Sequence, residues 1–330
     1  MRIFRSLAEA HGEFPPSALT IGNFDGVHLG HRRIFERAVA LGAEHRWKPS
    51  ALTFDPHPTR VVAPDRTPRL LTTPERRAEL MAEAGIQQVL ILPFTREIAA
   101  LSPEDFARQI VAGALGARAV LVGENFRFGR HQAGDVRSLQ QLGRELGFTT
   151  EVIPTAQCRG RTVSSSIIRD AVECGQVALA ARFLRRPYAL DGNVVRGHGI
   201  GSKQTVPTLN LETAAEVIPA RGVYLTRTRD LATDLASPRQ WNSITNVGYR
   251  PTFGGTSELS IETFLLDPLE DPPPNRIRVE FLCRVRDERK FDSPEALKTQ
   301  ILRDVRVAQD YFRRALLLSN RRLTNRLTPA

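Results

Sequence analysis

Two histidines three residues apart, His28 and His31, close the run GNFDGVHLGH at residues 22–31 and are the side chains best placed to do chemistry. A short apolar segment, Ala18-Leu19-Thr20-Ile21, precedes the run and reads as a buried strand. From Leu29 a helical pattern follows, with Ile34, Phe35, Ala38, Val39 and Leu41 on its apolar face. The run therefore sits at a strand-to-helix turn, where backbone N–H groups have no partner within the helix and the dipole favours an anion. Gly22 and Gly26 let the backbone approach a ligand closely, and Asn23 helps to shape the turn. At this spacing the two imidazoles fall on one side of the first helical turn. Such a point suits the phosphates of a nucleotide; the plainer alternative is a glycine turn carrying two exposed histidines.

A second anchor of the same kind is Ser164-Ser165-Ser166 with Arg169. Hydroxyls and exposed N–H groups at a helix start, with a guanidinium one turn later, make a grip for pyrophosphate, or a serine N-cap with a surface arginine. The segment Thr53-Phe54-Asp55-Pro56-His57-Pro58 lies just past another strand, and its two prolines make a rigid corner. Residues 122–129 combine a glycine turn, the amide of Asn125, and Phe126 and Phe128 on either side of Arg127. Spaced by two, those rings also fit the core face of a strand. In the second half, Thr208 and Asn210 lie in Pro207-Thr208-Leu209-Asn210, a strand entry if nothing more. Glu262 is the polar member of the alternating run Ile261-Glu262-Thr263-Phe264.

The elements that must position these residues are legible. In the first half, strand-like runs at 18–21, 51–54, 89–92, 119–122 and 150–153 alternate with helical patterns near 30–45, 74–84, 103–114 and 136–146. Thr73-Pro74-Glu75 and Ser102-Pro103-Glu104-Asp105 are helix starts, with a capping residue, proline at the first position and acids in the first turn. This alternation predicts an α/β domain: a doubly wound parallel sheet with helices on both faces and ligands at the carboxyl ends of its strands. Residues 22–31, 53–58 and 123–129 all fall there. Two short helices at 165–174 and 176–184 follow, and Arg185-Arg186-Pro187 reads as the domain boundary. Beyond it, β-rich segments at 192–196, 222–228, 241–247, 259–266 and 277–285 predict an antiparallel β-barrel. A helix at 293–318 closes the chain, and its arginine-rich end reads as frayed and solvated. The expected domains are thus 1–186 and 187–330.

Composition narrows the function. The chain has 330 residues, 41% hydrophobic and 25% charged, as in a soluble globular protein of two domains. No apolar stretch is long enough to cross a bilayer, and the first residues lack the apolar core of a secretory signal. Cys158, Cys174 and Cys283 are too few and too far apart for a disulfide framework, which fits a reducing cytoplasm, and their spacing predicts no structural zinc site. The net charge of +10 invites a nucleic-acid partner. Its distribution argues otherwise: residues 1–186 hold 25 Lys and Arg against 19 Asp and Glu, and the remainder hold 21 against 17. Neither half is a basic domain, and phosphorylated ligands account for the excess equally well.

Taken together, the segments resemble the bacterial bifunctional riboflavin kinase/FAD synthetases. GNFDGVHLGH is similar to the HxGH signature of nucleotidyltransferases in the form that family carries. TFDPHP (53–58), VGENFRFG (122–129), SSSIIR (164–169), PTLN (207–210), NVGYRPTFGG (246–255) and RKF (289–291) follow in order along nearly the whole chain. The resemblance implies a C-terminal barrel that phosphorylates riboflavin to FMN with ATP. It also implies an N-terminal domain that adenylylates FMN to FAD and releases pyrophosphate, both steps requiring Mg2+. It further implies roles. His28 and His31 donate to phosphate oxygens on the turn shaped by Gly22 and Asn23. Ser164, Ser165, Ser166 and Arg169 hold pyrophosphate, Ser166 standing where the family carries threonine. Phe54, Pro56, His57, Pro58, Asn125, Phe126 and Phe128 bind flavin and nucleotide. Thr208 and Asn210 lie beside the ATP–Mg2+ phosphates, and Glu262 is the general base.

Two segments depart from the family pattern. Thr205-Val206 replaces a Gly-aromatic pair before PTLN, and Pro272-Pro273-Pro274-Asn275 replaces Leu-Tyr-Gly after the acidic strand. Losing a glycine beside a phosphate loop alters backbone approach to ATP, and a triple proline stiffens a loop. A chain with an idle kinase half is therefore one alternative to the bifunctional enzyme, and a non-catalytic RNA-binding or regulatory protein on the same scaffold is another. The implied partners are small molecules, with no nucleic acid and no membrane; no residue pattern specifies an oligomer.

Overall fold

The apolar runs of the first half are strands of one sheet. In the computed structural model, β1 (Arg2–Phe4), β2 (Ser17–Ile21), β3 (Lys48–Asp55), β4 (Gln88–Pro93), β5 (Ala117–Gly123) and β6 (Thr149–Ile153) lie in the order β1-β4-β3-β2-β5-β6. Every neighbouring pair is parallel. Strand β2 is buried along its whole length and β3 at all but its ends, as strands covered on both faces must be. Alternate residues serve opposite faces. Leu19, Ile21, Leu52, Val120 and Val122 pack with Phe106, Ile110 and Leu139. Ala18, Ala51, Val89, Ala119 and Leu121 pack with Ile34, Phe35 and Ala38 of the helix Leu29–His45 and with Leu80 and Met81 of the helix Pro74–Glu83. From β2 the chain runs outward to β3 and β4, then returns to the other side of β2 as β5. The carboxyl ends of β2 and β5 therefore flank the switch point at which such sheets take ligands.

The structure describes residues 1–195, 208–231, 239–251, 257–269 and 272–327, and the chain divides into two compact units. One is Met1–Ile168 with Phe183–Arg185, the other Arg169–Arg182 with Arg186–Ala330. The division falls inside the helix Ser165–Glu173. After β6 in the sequence, still within the first unit, comes a small ribbon, β7 (Gln157–Cys158) with β8 (Arg161–Thr162).

The second unit is built on a closed antiparallel barrel. Its strands are β9 (Tyr188–Val195), β10 (Thr208–Glu212), β11 (Gly222–Asp230), β12 (Gln240–Pro251), β13 (Ser257–Leu265) and β14 (Arg276–Arg286), in the order β10-β13-β12-β11-β14-β9. Strand β9 pairs back onto β10. Leu190, Leu209, Tyr224 and Phe281 fill the inside together with a chain of buried hydroxyls. Thr228 meets Ser243, Ser243 meets Thr226, Thr226 meets Thr245 and Thr245 meets Thr263, all at 2.8–2.9 Å. Each interior hydroxyl is thereby satisfied, which burial demands. The opposite faces of β11 and β12 present Val223, Leu225 and Ile244 to Val305, Ala308 and Phe312 of the helix Pro294–Leu327. That helix runs past the expected end at 318, and Asp304 ties it to Arg286 by a salt bridge of 2.8 Å. The Thr205-Val206 departure lies outside the described residues; Pro272 and Asn275 are held by carbonyl contacts to Arg239 Nη1 at 3.0 Å and Val194 N–H at 2.8 Å.

Candidate functional site

The run at 22–31 leaves the carboxyl end of β2 and turns tightly into the helix Leu29–His45. Phe24, Gly26 and Val27 have φ of 48°, 78° and 41°. A left-handed valine persists only where its surroundings over-determine it. Asp25 supplies that constraint. Its buried carboxylate accepts from Leu71 N–H at 2.9 Å, Thr72 N–H at 3.1 Å and Thr72 Oγ1–H at 3.2 Å. Thr72 Oγ1 in turn accepts from Gly26 N–H at 3.1 Å. No side chain fits at Gly26, where a Cβ would lie 2.8 Å from Leu71. Beneath the turn lies Arg77, also buried, donating to Thr53 Oγ1 at 3.1 Å and to the Phe54 carbonyl at 3.2 Å. Burial pushes its guanidinium down, with Asp25, Asp55 and Glu75 acting in the opposite sense.

His28 caps the helix, its Nδ1 accepting from His31 N–H at 3.4 Å. With Nδ1 as acceptor, the neutral ring carries its proton on Nε2. The two imidazoles stack with centroids 3.6 Å apart and planes at 16°. The edge of Phe24 closes on His31 at 5.2 Å. Gly30 makes room for this, since a Cβ there would stand 3.1 Å from the His28 ring. The expected pair of imidazoles at a helix N-terminus is thus a stacked unit on a constrained turn.

Three other segments gather at this end of the sheet. The Asn23 amide meets His57 Nε2 at 3.0 Å, and the Asn23 carbonyl accepts from Thr53 Oγ1 at 3.1 Å, so the 53–58 corner is tied to the turn. Pro56, His57 and Pro58 are half-buried at the start of the helix Pro58–Val62. Phe54 is buried instead, edge-on to Phe94 at 5.4 Å. In the 122–129 segment, Asn125 is exposed and Phe126 half-buried, while Phe128 packs into the core beside Phe106. Glu124 orients this loop by accepting from Thr155 N–H at 2.8 Å and Oγ1–H at 2.6 Å, bonds that hold its carboxyl below the usual range. Ser165 Oγ donates to the Asp25 carbonyl at 2.9 Å, and Ser164 Oγ accepts from Ile167 N–H at 3.4 Å. Ser166 is exposed, and Arg169 lies on the next turn of that helix.

In the barrel unit the pairing register assembles a second site. Asn210 on β10 lies directly opposite Glu262 on β13, and Glu262 lies directly opposite Asn246 on β12. Paired residues share a face, so an amide, a carboxylate and a second amide form one row across three strands. Thr208, two residues before Asn210, stands on the same face opposite Phe264. Ser260 Oγ donates to Glu262 Oε1 at 2.9 Å. Asn246, Ser260, Asp25 and Arg77 were not among the expected site residues. Asn246 lies within a family-like segment, and its place beside Glu262 comes from strand register. Arg77 reads in sequence as one more arginine of an exposed helix. Among the described residues no three His, Cys, Asp or Glu side chains gather as a metal-binding group.

Comparison with known proteins identifies a family for each half of the chain. The FAD synthetase family model matches residues 11–167, and the riboflavin kinase family model matches residues 184–312. A bifunctional riboflavin kinase/FMN adenylyltransferase of Pseudomonas fluorescens is 35% identical over 94% of this chain and 97% of its own length. The protein of that description from Escherichia coli K12 is 34% identical over 89% and 92%. This chain belongs to the bifunctional riboflavin kinase/FMN adenylyltransferase family. Both halves of the family's pattern are present in one polypeptide, in the order that the motifs gave. A crystal structure described as a macrolide-efflux protein from Streptococcus pneumoniae superposes with a TM-score of 0.81 over 93% of this chain and 98% of that one. At 24% identity that is a likeness of fold. No helix among the described residues is long and apolar enough to cross a membrane.

Proposed function

We propose that this chain carries out two successive ATP-dependent reactions on a flavin, with residues 187–330 making FMN from riboflavin and residues 1–186 making FAD from FMN. What supports the reading is the stacked His28–His31 pair at a helix start in the first half and the Asn210–Glu262 register pair in the second. In the kinase step the ribityl 5′-hydroxyl oxygen attacks the γ-phosphorus of ATP, the bond to the bridging oxygen breaks, and ADP leaves. Glu262 accepts the hydroxyl proton. Thr208 and Asn210 offer neutral oxygen donors on the face that carries Glu262, a donor set that fits Mg2+ shared with nucleotide phosphates. Bound there, the ion would neutralise charge on the β- and γ-phosphates.

In the adenylyl step a phosphate oxygen of FMN attacks the α-phosphorus of a second ATP, the α–β bridge breaks, and pyrophosphate leaves. Little covalent help is needed; charge must be offset and the attacking phosphate held in line. His28 Nε2–H, the His31 ring and the N–H groups of the first helical turn supply donors. Ser164, Ser165, Ser166 and Arg169 take the departing pyrophosphate. The flavin lies by Pro56, His57, Pro58, Asn125 and Phe126, over a floor in which Phe54 and Phe128 are buried. The three cysteines are all free thiols, which suits a reducing cytoplasm. The test follows products of ATP: ADP with riboflavin as acceptor, and pyrophosphate with FMN as acceptor. A chain that releases neither is not this enzyme, and one that releases only pyrophosphate has an idle kinase half.

A further inference from the structure

We infer that Ser260 is a positioning residue for the kinase reaction, holding the Glu262 carboxylate ready to accept the riboflavin hydroxyl proton; this rests on the assignment of Glu262 as general base. Ser260 and Glu262 are two apart on β13 and so project from the same face, where Ser260 Oγ donates to Glu262 Oε1 at 2.9 Å. A glutamate has three side-chain torsions, and a base spread over several rotamers meets its substrate only part of the time. One hydrogen bond from the same strand removes much of that freedom and directs the other carboxylate oxygen.

The neighbours explain why this serine is suited to the task. The residue opposite Ser260 on β12 is Gly248, and the Glu288 carboxylate fills the space a side chain there would take; Ser260 Oγ nonetheless donates to Glu262. The residues opposite Glu262 are Asn210 and Asn246, one on each side. The carboxylate is therefore bracketed by amides across the sheet and tethered along its own strand. Ser260 touches no reacting atom on this account; it acts through Glu262.

Steady-state kinetics of riboflavin phosphorylation by the full chain test the inference. Ser260→Ala is expected to lower kcat about tenfold, the loss typical of one hydrogen bond to a charged group, with both KM values within about twofold of wild type. Ser260→Thr, which keeps the hydroxyl and suits a strand, is expected to restore kcat to within about twofold. Equal thermal midpoints for the variants and wild type show that folding is intact. A Ser260→Ala enzyme with wild-type kcat overturns the proposal, as does a loss confined to KM or a Ser260→Thr enzyme as slow as the alanine variant. Wild-type protein without kinase activity, or an active Glu262→Gln variant, overturns the assignment of the base itself, and the role of Ser260 falls with it.

Discussion

Asn210 and Glu262 face each other across the β10–β13 pair, neighbours in space though far apart in sequence. The strand register thus sets an amide beside a carboxylate, the pair to which we assign the nucleotide-bound cation and the hydroxyl proton. The proposed phosphoryl transfer needs these two chemistries together: offset charge on ATP, and a base at the acceptor hydroxyl.

Replacing that base isolates one reaction from the other. Glu262→Gln keeps the shape and polarity of the side chain and removes its proton affinity. Riboflavin phosphorylation is expected to fall at least about 100-fold, the contribution usual for a positioned base. FAD formation from supplied FMN is expected to continue. Rates with each flavin check this, and wild-type phosphorylation by the variant contradicts it.

His28 caps a helix through Nδ1 and, on the proposed mechanism, donates from Nε2 to phosphate, and substitutions separate the two roles. His28→Asn keeps an acceptor for His31 N–H but loses the imidazole; His28→Ala loses both. FAD formation is expected to fall about 100-fold or more in each, as for removal of a donor to developing phosphate charge. Only His28→Ala adds about 1 kcal/mol of destabilisation from the lost cap. Urea denaturation beside FMN adenylylation distinguishes these effects.

Asp25 is buried and holds the 71–72 segment against the left-handed turn. Asp25→Ala strands several buried donors and deprives the buried Arg77 of an opposing charge. A loss of about 3 kcal/mol or more in unfolding free energy is expected, together with loss of FAD formation. A shift in urea midpoint equivalent to less than about 0.5 kcal/mol contradicts this, since that is the range of ordinary surface changes.

Tyr224 predicts an alkaline limb of stability. Burial pushes its phenol up to about 12, with Arg284 acting in the opposite sense. An unfolded tyrosine ionises near pH 10. The fold therefore favours the neutral form, and this contribution is complete below about pH 10 and lost as pH rises towards 12. The slope is about 1.4 kcal/mol per pH unit for this one group. The difference between wild type and Tyr224→Phe, measured by urea unfolding at pH 9 and 11, isolates it. Equal slopes for both proteins contradict the assignment.

Much of this architecture is written in local pattern. The strands β2 to β6 and the helices capped by Thr73 and Ser102 follow from apolar periodicity and capping chemistry, and the structure has both caps in place at 3.2 and 3.0 Å. Strand β1 escapes because three residues with one buried side chain carry no period. The helix Pro58–Val62 begins on the proline corner, where a turn was the natural expectation. Strand β10 starts at Thr208, where the sequence offers a strand entry, and its five residues are too few to reveal its full extent. The row Asn210–Glu262–Asn246 needs the register of three strands, and one sequence does not specify register between distant segments. Arg77 shows the same limit: its burial depends on Thr53 and Phe54 of a neighbouring strand.

The two proposed sites predict two working flavin enzymes in one chain. Chromatography of products after incubation with ATP and Mg2+, starting once from riboflavin and once from FMN, tests this most directly. FAD in both samples, with FMN as an intermediate in the first, is the predicted result. FAD from FMN alone contradicts the kinase half, and no new flavin in either sample contradicts the account as a whole.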